Sequence, residues 1–310
     1  MKGIPSQINT DFSVGLLGAG AVGSYYGSFL ARFGVSVTVL TRFPEQYDSD
    51  IAIESDNQLV SFRPNKILSI HEANDQSFDV LIVASKVLES IDFVSLVRPF
   101  LSDQTVIFLI QNGIFIEDVY VDHFHQPILR GLAFLCAVRE SYQRIRHLEF
   151  GLLTYGVFRG DHHHPNIQLL GEILQQSEMD VSFSNHIYMD IWEKLLWNAP
   201  FNPLSVLYRM TTDELLASVE ITDRIYRIME EVCVASDAFG CSLSLDLIEK
   251  KLSITRKMNS YKTSMYIDFE NNRPLEIEAI LGNYVRFCTQ KGIDIPYSQE
   301  LYQQLKDLKL

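Results

Sequence analysis

The sequence predicts an α/β domain with a doubly wound parallel sheet, followed by an all-α domain. Three observations predict this fold class. Short apolar runs alternate with helical patterns through the first half, a glycine-rich turn follows the first run, and helical periodicity dominates from Ile187 onward. A chain of 310 residues has room for about two domains. We therefore expect one domain over residues 1–185 and a second over residues 186–310.

The first predicted elements are a strand, a helix and a second strand. Phe12–Leu17 is a short apolar run, as expected of a buried strand. Ala21–Phe33 has apolar residues at helical spacing and ends at Gly34, which favours a helix terminus. Residues 35–39 alternate valine with polar residues, a pattern that is typical of a strand.

Further apolar runs continue the sheet. Residues 78–85 and 105–110 are apolar without alternation, as expected of central strands that are covered on both faces. A helical pattern from Leu88 to Val97 separates these two runs, so the connection predicts parallel strands. The strand-rich region then extends over residues 127–138, 148–158 and 179–184.

The second half contains helix signals only. The tetrapeptide TTDE at residues 211–214 matches a capping box and predicts a long helix that runs to Phe239 and stops at Gly240. A later helix is predicted over Leu275–Gln290, and Gly292 follows it as a helix stop. These signals predict that the second domain is entirely α-helical.

Composition excludes several classes of protein. The net charge of −13 repels phosphate backbones, so nucleic acid is not an expected partner. The uncharged stretch Ser13–Ala31 is too rich in glycine, tyrosine and serine for a membrane span, and no basic region precedes it. We therefore expect a cytoplasmic protein without membrane contact. The cysteines show no C-x-x-C spacing and are expected to be reduced; they are Cys136, Cys233, Cys241 and Cys288.

The sequence GAGAVG at residues 18–23 follows the pattern G-x-G-x-x-G between a predicted strand and a predicted helix. In such a turn the first glycine makes the bend and the second lets backbone N–H groups approach a pyrophosphate. The third glycine allows close packing of the helix, so the motif predicts a dinucleotide site. The alternative is a packing turn without a ligand. The predicted cofactor-binding residues of the turn are Gly18, Ala19, Gly20, Ala21, Val22 and Gly23.

The end of the second strand indicates which dinucleotide binds. An NAD site usually has an acidic residue there, whereas this strand ends with Thr41 and Arg42. A guanidinium at this position can pair with a 2′-phosphate, so Arg42 predicts NADP rather than NAD. The alternative is a solvated surface arginine.

Two further polar residues follow strands of the predicted sheet. Lys86 follows the run at 78–85, and Asn112 follows the run at 105–110. Ligands of open α/β sheets bind at the carboxyl ends of the strands, so both residues are candidates for binding. The alternatives are a solvated loop lysine and an ordinary Asn-Gly turn.

Lys194, Asn198 and Asn202 recur at intervals of four residues and therefore share one face of a predicted helix. Apolar residues surround Lys194 in the sequence, and desolvation lowers the pKa of an ammonium toward a range where it can act as a general acid. The alternative is a lysine whose head group reaches solvent. Further along the chain, Ser264 and Glu276 are polar candidates, with Glu278 beside them.

The sequence predicts neither a metal site nor a fixed oligomeric state. The stretch DHHHP at residues 161–165 places three histidines side by side, where they project in different directions. A polar loop is the expected structure, with a metal site as the alternative. Helices rich in tyrosine and phenylalanine suit a core or a homodimer surface equally well, so a homodimer remains open.

Together these motifs resemble the ketopantoate reductase (2-dehydropantoate 2-reductase) family over nearly the whole chain and in the same order. The matching elements are GAGAVG, the arginine that ends the second strand, ASK, QNG, WEKLLWNAPFNPLS and a C-terminal S…E…G…GIDIP. The resemblance implies a Rossmann-type domain followed by a helical domain of the 6-phosphogluconate dehydrogenase-like type. It also implies NADPH-dependent reduction of 2-dehydropantoate, a small 2-oxo acid, to pantoate on the route to coenzyme A.

The resemblance implies a role for each matching residue. Lys194 corresponds to the family's catalytic lysine, and Glu276 corresponds to a catalytic glutamate that bonds the substrate near the reacting oxygen and also belongs to the cofactor site. The residues implied in substrate binding are Asn112, Asn198, Asn202 and Ser264. The residues implied in cofactor contact beyond the glycine turn are Arg42, Lys86 and Asn112, the last near the nicotinamide.

Three positions depart from the family pattern. Pro200 lies between Asn198 and Asn202, where its ring is expected to kink the helix. Leu281 stands where the family usually has asparagine, and Glu89 where a cofactor-contacting glutamine is common. These departures bear on the substrate more than on the cofactor. A reductase of another branched 2-oxo acid and a non-catalytic NADP(H)-binding sensor therefore remain as alternatives.

Overall fold

The computed structural model describes residues 12–47, 50–55, 58–71, 73, 76–258 and 260–308. The chain divides into two compact units. The first comprises the described residues of Met1–Lys86, Asp92–Gln111 and Val119–Asn185. The second comprises those of Val87–Ile91, Asn112–Asp118 and His186–Leu310. Two short segments from the first half of the sequence thus belong to the second unit, which no sequence pattern predicted.

The described part of the first unit contains one mixed sheet of ten strands. The strands are β1 (Ser13–Leu17), β2 (Ser36–Thr41), β3 (Ile51–Ser55), β4 (Gln58–Phe62), β5 (Lys66–Ser69), β6 (Val80–Val83), β7 (Val106–Leu109), β8 (Ile128–Ser141), β9 (Arg144–Arg159) and β10 (Val181–Phe183). Their order is β4-β3-β9-β8-β7-β6-β1-β2-β5, and β10 pairs with β9. The strands β3, β4 and β5 were not predicted from the sequence.

The predicted parallel arrangement is confirmed in the middle of this sheet. Strands β5, β2, β1, β6, β7 and β8 pair in parallel in that order. Beyond β8 the sheet is mixed: β8 and β9 form a long antiparallel hairpin, which is the pairing that a short connection between adjacent strands permits. Strand β3 then pairs in parallel with β9 and antiparallel with β4.

The helices of the first half are α1 (Ala21–Arg32), α2 (Phe93–Val97), α3 (Asp118–His123) and α4 (Pro165–Gln176). The structure thus has a helix only in the second half of the range Leu88–Val97, where a helical pattern was predicted. Asp92 determines where α2 begins, because its Oδ1 accepts hydrogen bonds from the backbone N–H groups of Val94 and Ser95, both at 3.1 Å.

A buried arginine fixes the ends of two central strands. Arg130 is fully buried, and its Nη1 donates to the carbonyl oxygens of Leu109 at 3.2 Å, Gln111 at 2.6 Å and Gly131 at 3.0 Å. The Gln111 side chain in turn donates to the carbonyl oxygen of Ser85 at 2.8 Å. Since buried carbonyl groups need hydrogen-bond partners, this network holds the ends of β6 and β7 in place.

The second unit is α-helical, as predicted. Its helices are α5 (Ile187–Tyr208), α6 (Thr212–Ala217), α7 (Val219–Phe239), α8 (Asp246–Thr255), α9 (Ser264–Glu270), α10 (Asn283–Lys291) and α11 (Pro296–Lys306), with a π-helical turn over Glu278–Gly282. The segment Asn112–Asp118 is anchored in this unit by Phe115. The Phe115 ring contacts the rings of Trp192, Phe239 and Phe287 at centroid distances of 5.9, 5.7 and 4.9 Å.

Two of the predicted helices differ in the structure. The capping box of Thr211 and Glu214 is confirmed, but the helix it starts ends at Ala217. Ser218 has an extended backbone and begins α7 by accepting a hydrogen bond from Ile221 N at 3.3 Å. The helix predicted over Leu275–Gln290 begins later and passes through the π-helical turn before α10.

The described chain has no helix with both the length and the apolar character needed to cross a membrane. Its four cysteines are buried and free of disulfide bonds.

Candidate active site

The three glycines of the turn after β1 have different surroundings. Gly18 has a φ of +101°, and a Cβ there would run into the backbone of Ser85. A Cβ at Gly23 would run into the carbonyl oxygen of Gly18. A Cβ at Gly20, by contrast, would meet nothing within 4 Å. The fold itself therefore requires glycine at positions 18 and 23, whereas Gly20 leaves open space beside the start of α1.

This turn fits a pyrophosphate. The first turn of α1 contains no acidic residue, and its N-terminal N–H groups favour negative charge. The Oγ atom of Ser85 is buried and has no hydrogen-bond partner within the described part of the chain. Buried hydroxyl groups are normally paired, so this atom indicates a polar group supplied from outside the protein. Ala19 lies within the turn, and Ala21 and Val22 are the first two residues of α1.

Arg42 and Lys86 follow strands that neighbour β1 in the sheet. Arg42 comes directly after β2, is exposed, and has its Cζ atom 5.6 Å from the centre of the Phe43 ring. Lys86 comes three residues after β6 and is half-buried. Because β2, β1 and β6 are parallel, their carboxyl ends meet at one edge of the sheet, and both cations lie at the edge that holds the glycine turn.

Lys194 and Asn112 meet within the second unit. The Nζ atom of Lys194 on α5 donates a hydrogen bond to Oδ1 of Asn112 at 2.9 Å. Asn198 and Asn202 follow on the same face of α5 and are buried, with 9% and 3% of their surface exposed. Pro200 does not end the helix, which continues to Tyr208. The structure thus joins the lysine to an amide that lies 82 positions earlier in the chain.

Glu276 contacts the other short segment of the second unit. Its Oε1 atom accepts a hydrogen bond from the backbone N–H of Val87 at 2.9 Å, a partner that no sequence signal revealed. Glu276 also precedes the π-helical turn, and Ile114 N donates to Ala279 O within that turn at 3.0 Å. Glu276 and the π-helical turn that follows it therefore contact the two short segments of the second unit, Val87–Ile91 and Asn112–Asp118. Such turns are frequent at functional sites.

Ser264 is the exposed first residue of α9. The residue before it, Thr263, caps this helix by accepting from Tyr266 N at 3.1 Å. Thr263 Oγ1 also lies 2.6 Å from Ser205 Oγ, and Ser205 Oγ donates to the carbonyl oxygen of Asn202 at 2.8 Å. Ser205 lies one helical turn after Asn202 on α5, so this contact holds the start of α9 close to Asn202.

Leu281 and Glu89, two of the positions that depart from the family pattern, have different surroundings. Leu281 is fully buried within the π-helical turn, where an apolar side chain fills the core of the second unit. Glu89 is exposed.

The carboxylate of Glu278, two residues after Glu276, is held by hydrogen bonds within the second unit. Its Oε2 accepts from Arg286 Nη1 and its Oε1 from the Tyr302 hydroxyl, both at 2.6 Å. Burial raises the pKa of Glu278, but the hydrogen bonds from Tyr302 and Arg286 outweigh burial, so its pKa lies below the ordinary value of 4.5. Glu276 and Glu278, which are separated by one residue in the sequence, thus have separate partners.

We expect Glu278 to make stability depend on acid. Because its pKa is lower in the folded state, its contribution is present above pH 4.5 and is lost as the pH falls through the folded-state pKa. The difference in melting temperature between the parent protein and Glu278→Gln should therefore shrink as the pH is lowered from about 7 to about 3. Glu249→Gln, at an exposed position of α8, is the matched control. A difference that stays constant with pH would contradict the assignment.

The histidine stretch forms a polar turn before α4. His163 N donates to Asp161 Oδ1 at 2.8 Å, and Nδ1 of His164 accepts from Asn166 N at 3.3 Å at the start of the helix. Ligand atoms of Asp161, His162 and His163 lie within 4.8 Å of one another, and all three residues are exposed. Hydrogen bonds of the turn and the helix start thus account for the position of Asp161 and His164.

Comparisons with known proteins match both units. The family described as "Ketopantoate reductase PanE/ApbA" matches residues 14–160, and "Ketopantoate reductase PanE/ApbA C terminal" matches residues 186–309. A 2-dehydropantoate 2-reductase from a Nostoc species is 30% identical over 304 residues, which cover 94% of each chain.

Solved structures give the same result. The 2-dehydropantoate 2-reductase of Methylococcus capsulatus superposes with a TM-score of 0.86 at 34% identity and covers 95% of this chain and 96% of its own. That of Geobacter metallireducens has a TM-score of 0.86 at 29% identity and covers 95% and 99%. Sequence and fold therefore agree over nearly the whole length, and the chain is an oxidoreductase that belongs to the ketopantoate reductase family.

Proposed function

We propose that the protein catalyses the NADPH-dependent reduction of 2-dehydropantoate to pantoate, with Lys194 as the general acid. The observation that carries this proposal is the 2.9 Å hydrogen bond from Lys194 Nζ to Asn112 Oδ1. It joins an ammonium group on α5 to an amide of the segment Asn112–Asp118, which belongs to the same unit. Membership of the family supplies the reaction class, and this pair supplies a proton donor.

The proposed role of Lys194 follows from the charge that the reaction develops. The reduced nicotinamide, when bound, supplies the hydride that a ketone carbon accepts. Negative charge then grows on the ketone oxygen, and a positioned ammonium can stabilise that charge and deliver the proton. An ammonium has three N–H donors, so a bond to Asn112 and a bond to a substrate oxygen are compatible.

The proposed substrate contacts use buried amides and one carboxylate. Asn198 and Asn202 carry amide donors that suit the carboxylate and carbonyl oxygens of a 2-oxo acid. Glu276 carries the acceptor that suits the substrate's hydroxyl group, and its bond to Val87 N holds the carboxylate in position. Ser264 is proposed to add a hydroxyl contact from the start of α9.

The proposed cofactor contacts lie at the carboxyl edge of the sheet. The turn from Gly18 to Gly23 would hold the pyrophosphate at the start of α1. Arg42 would pair with the 2′-phosphate, which favours NADPH over NADH, and Lys86 would add a second positive charge to the cofactor site. We accordingly assign cofactor binding to residues 1–185 and substrate binding mainly to residues 186–310.

The test is a panel of 2-oxo acids assayed with both NADPH and NADH. We expect the highest kcat/KM for 2-dehydropantoate with NADPH. A higher value for another branched 2-oxo acid would overturn the substrate assignment and leave the reaction class. Binding of NADPH without turnover of any panel member would overturn the catalytic proposal in favour of a sensor.

A further inference from the structure

The connection between β9 and α4 contains residues 161–164, here called the histidine turn, which bring three metal-ligating side chains together. One ligand atom each of Asp161, His162 and His163 lies within 4.8 Å of the other two. The ring centroids of His162 and His163 are 4.0 Å apart, and His162 Nδ1 lies 3.9 Å from Asp161 Oδ1. These two rings therefore lie close together, although adjacent histidines were expected to project in different directions.

Hydrogen bonds hold the histidine turn in this shape. The backbone N–H of His163 donates to Asp161 Oδ1 at 2.8 Å, which folds the carboxylate back over the turn. Gln168 Nε2 on α4 lies 3.4 Å from Nδ1 of His163, and Nδ1 of His164 accepts from Asn166 N at 3.3 Å. The His164 ring thus belongs to the start of α4, whereas the side chains of the other three residues of the turn face one another.

The chemistry of these three side chains selects a class of ion. Two imidazole nitrogens and one carboxylate oxygen suit divalent transition-metal ions such as Zn²⁺ and Ni²⁺, whereas Ca²⁺ and Mg²⁺ prefer oxygen ligands throughout. The net charge of −13 favours a cation over an anion at the surface of this chain.

The spacing of the ligand atoms is close to that of a bound ion. Zn²⁺ binds nitrogen and oxygen at about 2.0–2.2 Å, so two ligands of one tetrahedral ion lie roughly 3.4 Å apart. Ligand atoms within 4.8 Å of one another need only small side-chain rotations to reach that spacing. The Asp161 and His162 side chains are 71% and 67% exposed, so no packing opposes these rotations.

The histidine turn lies far from the glycine turn within the same sheet. Asn166 at the start of α4 donates from Nδ2 to the carbonyl oxygens of Asp79 at 3.2 Å and Gln104 at 2.8 Å. These two residues precede β6 and β7, so α4 starts at the amino ends of the parallel strands. The glycine turn follows the carboxyl end of β1, which is parallel to β6. An ion at the histidine turn is therefore remote from the proposed cofactor contacts.

We propose that the histidine turn binds one divalent transition-metal ion through Asp161, His162 and His163. Water would fill the remaining coordination positions, since the turn is exposed. The bound ion would tie the turn together ahead of α4 and stabilise the folded state, because the unfolded chain does not hold the three ligands in place. This inference is independent of the proposed reductase activity.

The test is isothermal titration calorimetry of the untagged, metal-stripped protein with ZnCl₂. We expect one ion per chain with a Kd below about 100 μM. His162→Ala/His163→Ala should raise the Kd by about tenfold or more, because it removes both nitrogen ligands. Asp161→Asn should raise it by about threefold or more, because asparagine keeps an oxygen for the bond from His163 N but loses the charge.

The matched control is His123→Ala/His125→Ala, which also removes two exposed imidazoles. His125 Nε2 lies 3.4 Å from Asp103 Oδ1, so this control also removes a histidine beside a carboxylate. The control should leave the Kd of Zn²⁺ within about twofold. Zn²⁺ at ten times the Kd should raise the melting temperature of the parent and of the control by about 2 °C, and this rise should be absent from His162→Ala/His163→Ala.

Three results would overturn the inference. A Kd above about 100 μM in the parent would mean that the turn does not form a site. A Kd that His162→Ala/His163→Ala leaves unchanged, or that His123→Ala/His125→Ala raises equally, would place the ion elsewhere. Displacement of Zn²⁺ by an equal concentration of Ca²⁺ would contradict the class of ion, because calcium does not prefer imidazole ligands.

Discussion

Lys194→Ala is expected to lower kcat for 2-dehydropantoate reduction by about 10³-fold, the range that a positioned general acid contributes. The loss should fall on kcat and kcat/KM alike, because the ammonium stabilises charge that exists only in the transition state. The Kd of NADPH, measured by quenching of protein fluorescence, should change by less than about threefold, since the proposed cofactor contacts lie on other residues.

Two further variants separate the role of Lys194 from a general effect of charge on α5. Lys251 pairs with Glu193, the residue before Lys194, at 2.8 Å, so Lys251→Met removes a neighbouring ammonium and should keep kcat within about threefold. Lys194→Cys should be inactive, and alkylation of the new thiol to S-aminoethylcysteine should restore part of the rate, because this replaces the lost ammonium group. The four native cysteines are buried, so the alkylation should favour position 194. Full activity of Lys194→Ala would exclude this residue as the proton donor.

Gly20→Val is expected to abolish dinucleotide binding in a protein that remains folded. The backbone of Gly20 is extended, with φ −78° and ψ −166°, and a Cβ there meets nothing within 4 Å, so the free energy of unfolding should change by less than about 1 kcal/mol. The same side chain would occupy the space proposed for the pyrophosphate. The Kd of NADPH should therefore rise by on the order of 100-fold or more, as followed by calorimetry.

The contrasting variant is Gly18→Val, two residues earlier. Gly18 has a φ of +101°, and its Cβ would meet the backbone of Ser85, so this substitution should lower the free energy of unfolding by about 3 kcal/mol or more. Denaturant titration of both variants shows whether folding and binding separate as described. Tight NADPH binding by Gly20→Val would mean that the pyrophosphate lies elsewhere.

Local signals predicted the elements that short-range physics fixes. The glycine spacing predicted the turn between β1 and α1. Gly18 has a left-handed backbone, and a side chain at Gly18 or Gly23 would run into neighbouring backbone atoms. Apolar runs predicted β6 and β7, and the Thr211–Glu214 capping box predicted the start of α6. The resemblance to a family was confirmed by the comparisons over nearly the whole chain.

Where local patterns compete, the predictions were wrong. A helical pattern runs through Ser218, yet this serine bonds the backbone and divides the predicted helix into α6 and α7. The strands β3, β4 and β5 were not predicted; β3 pairs with β4 in a hairpin and with the distant β9, and β5 pairs with β2. The pairings of β3 with β9 and of β5 with β2 join residues far apart along the chain and therefore leave no short-range signal.

By itself, the sequence determined the fold class, the glycine turn and the family, because these depend on residue spacing over a few positions and on motifs kept in order. Only the tertiary structure decided that Lys194 bonds Asn112 and that Glu276 bonds Val87 N. The physical reason is that these contacts join residues that lie far apart along the chain. They depend on how the segments at 87–91 and 112–118 pack within the second unit, and packing is a property of the whole unit.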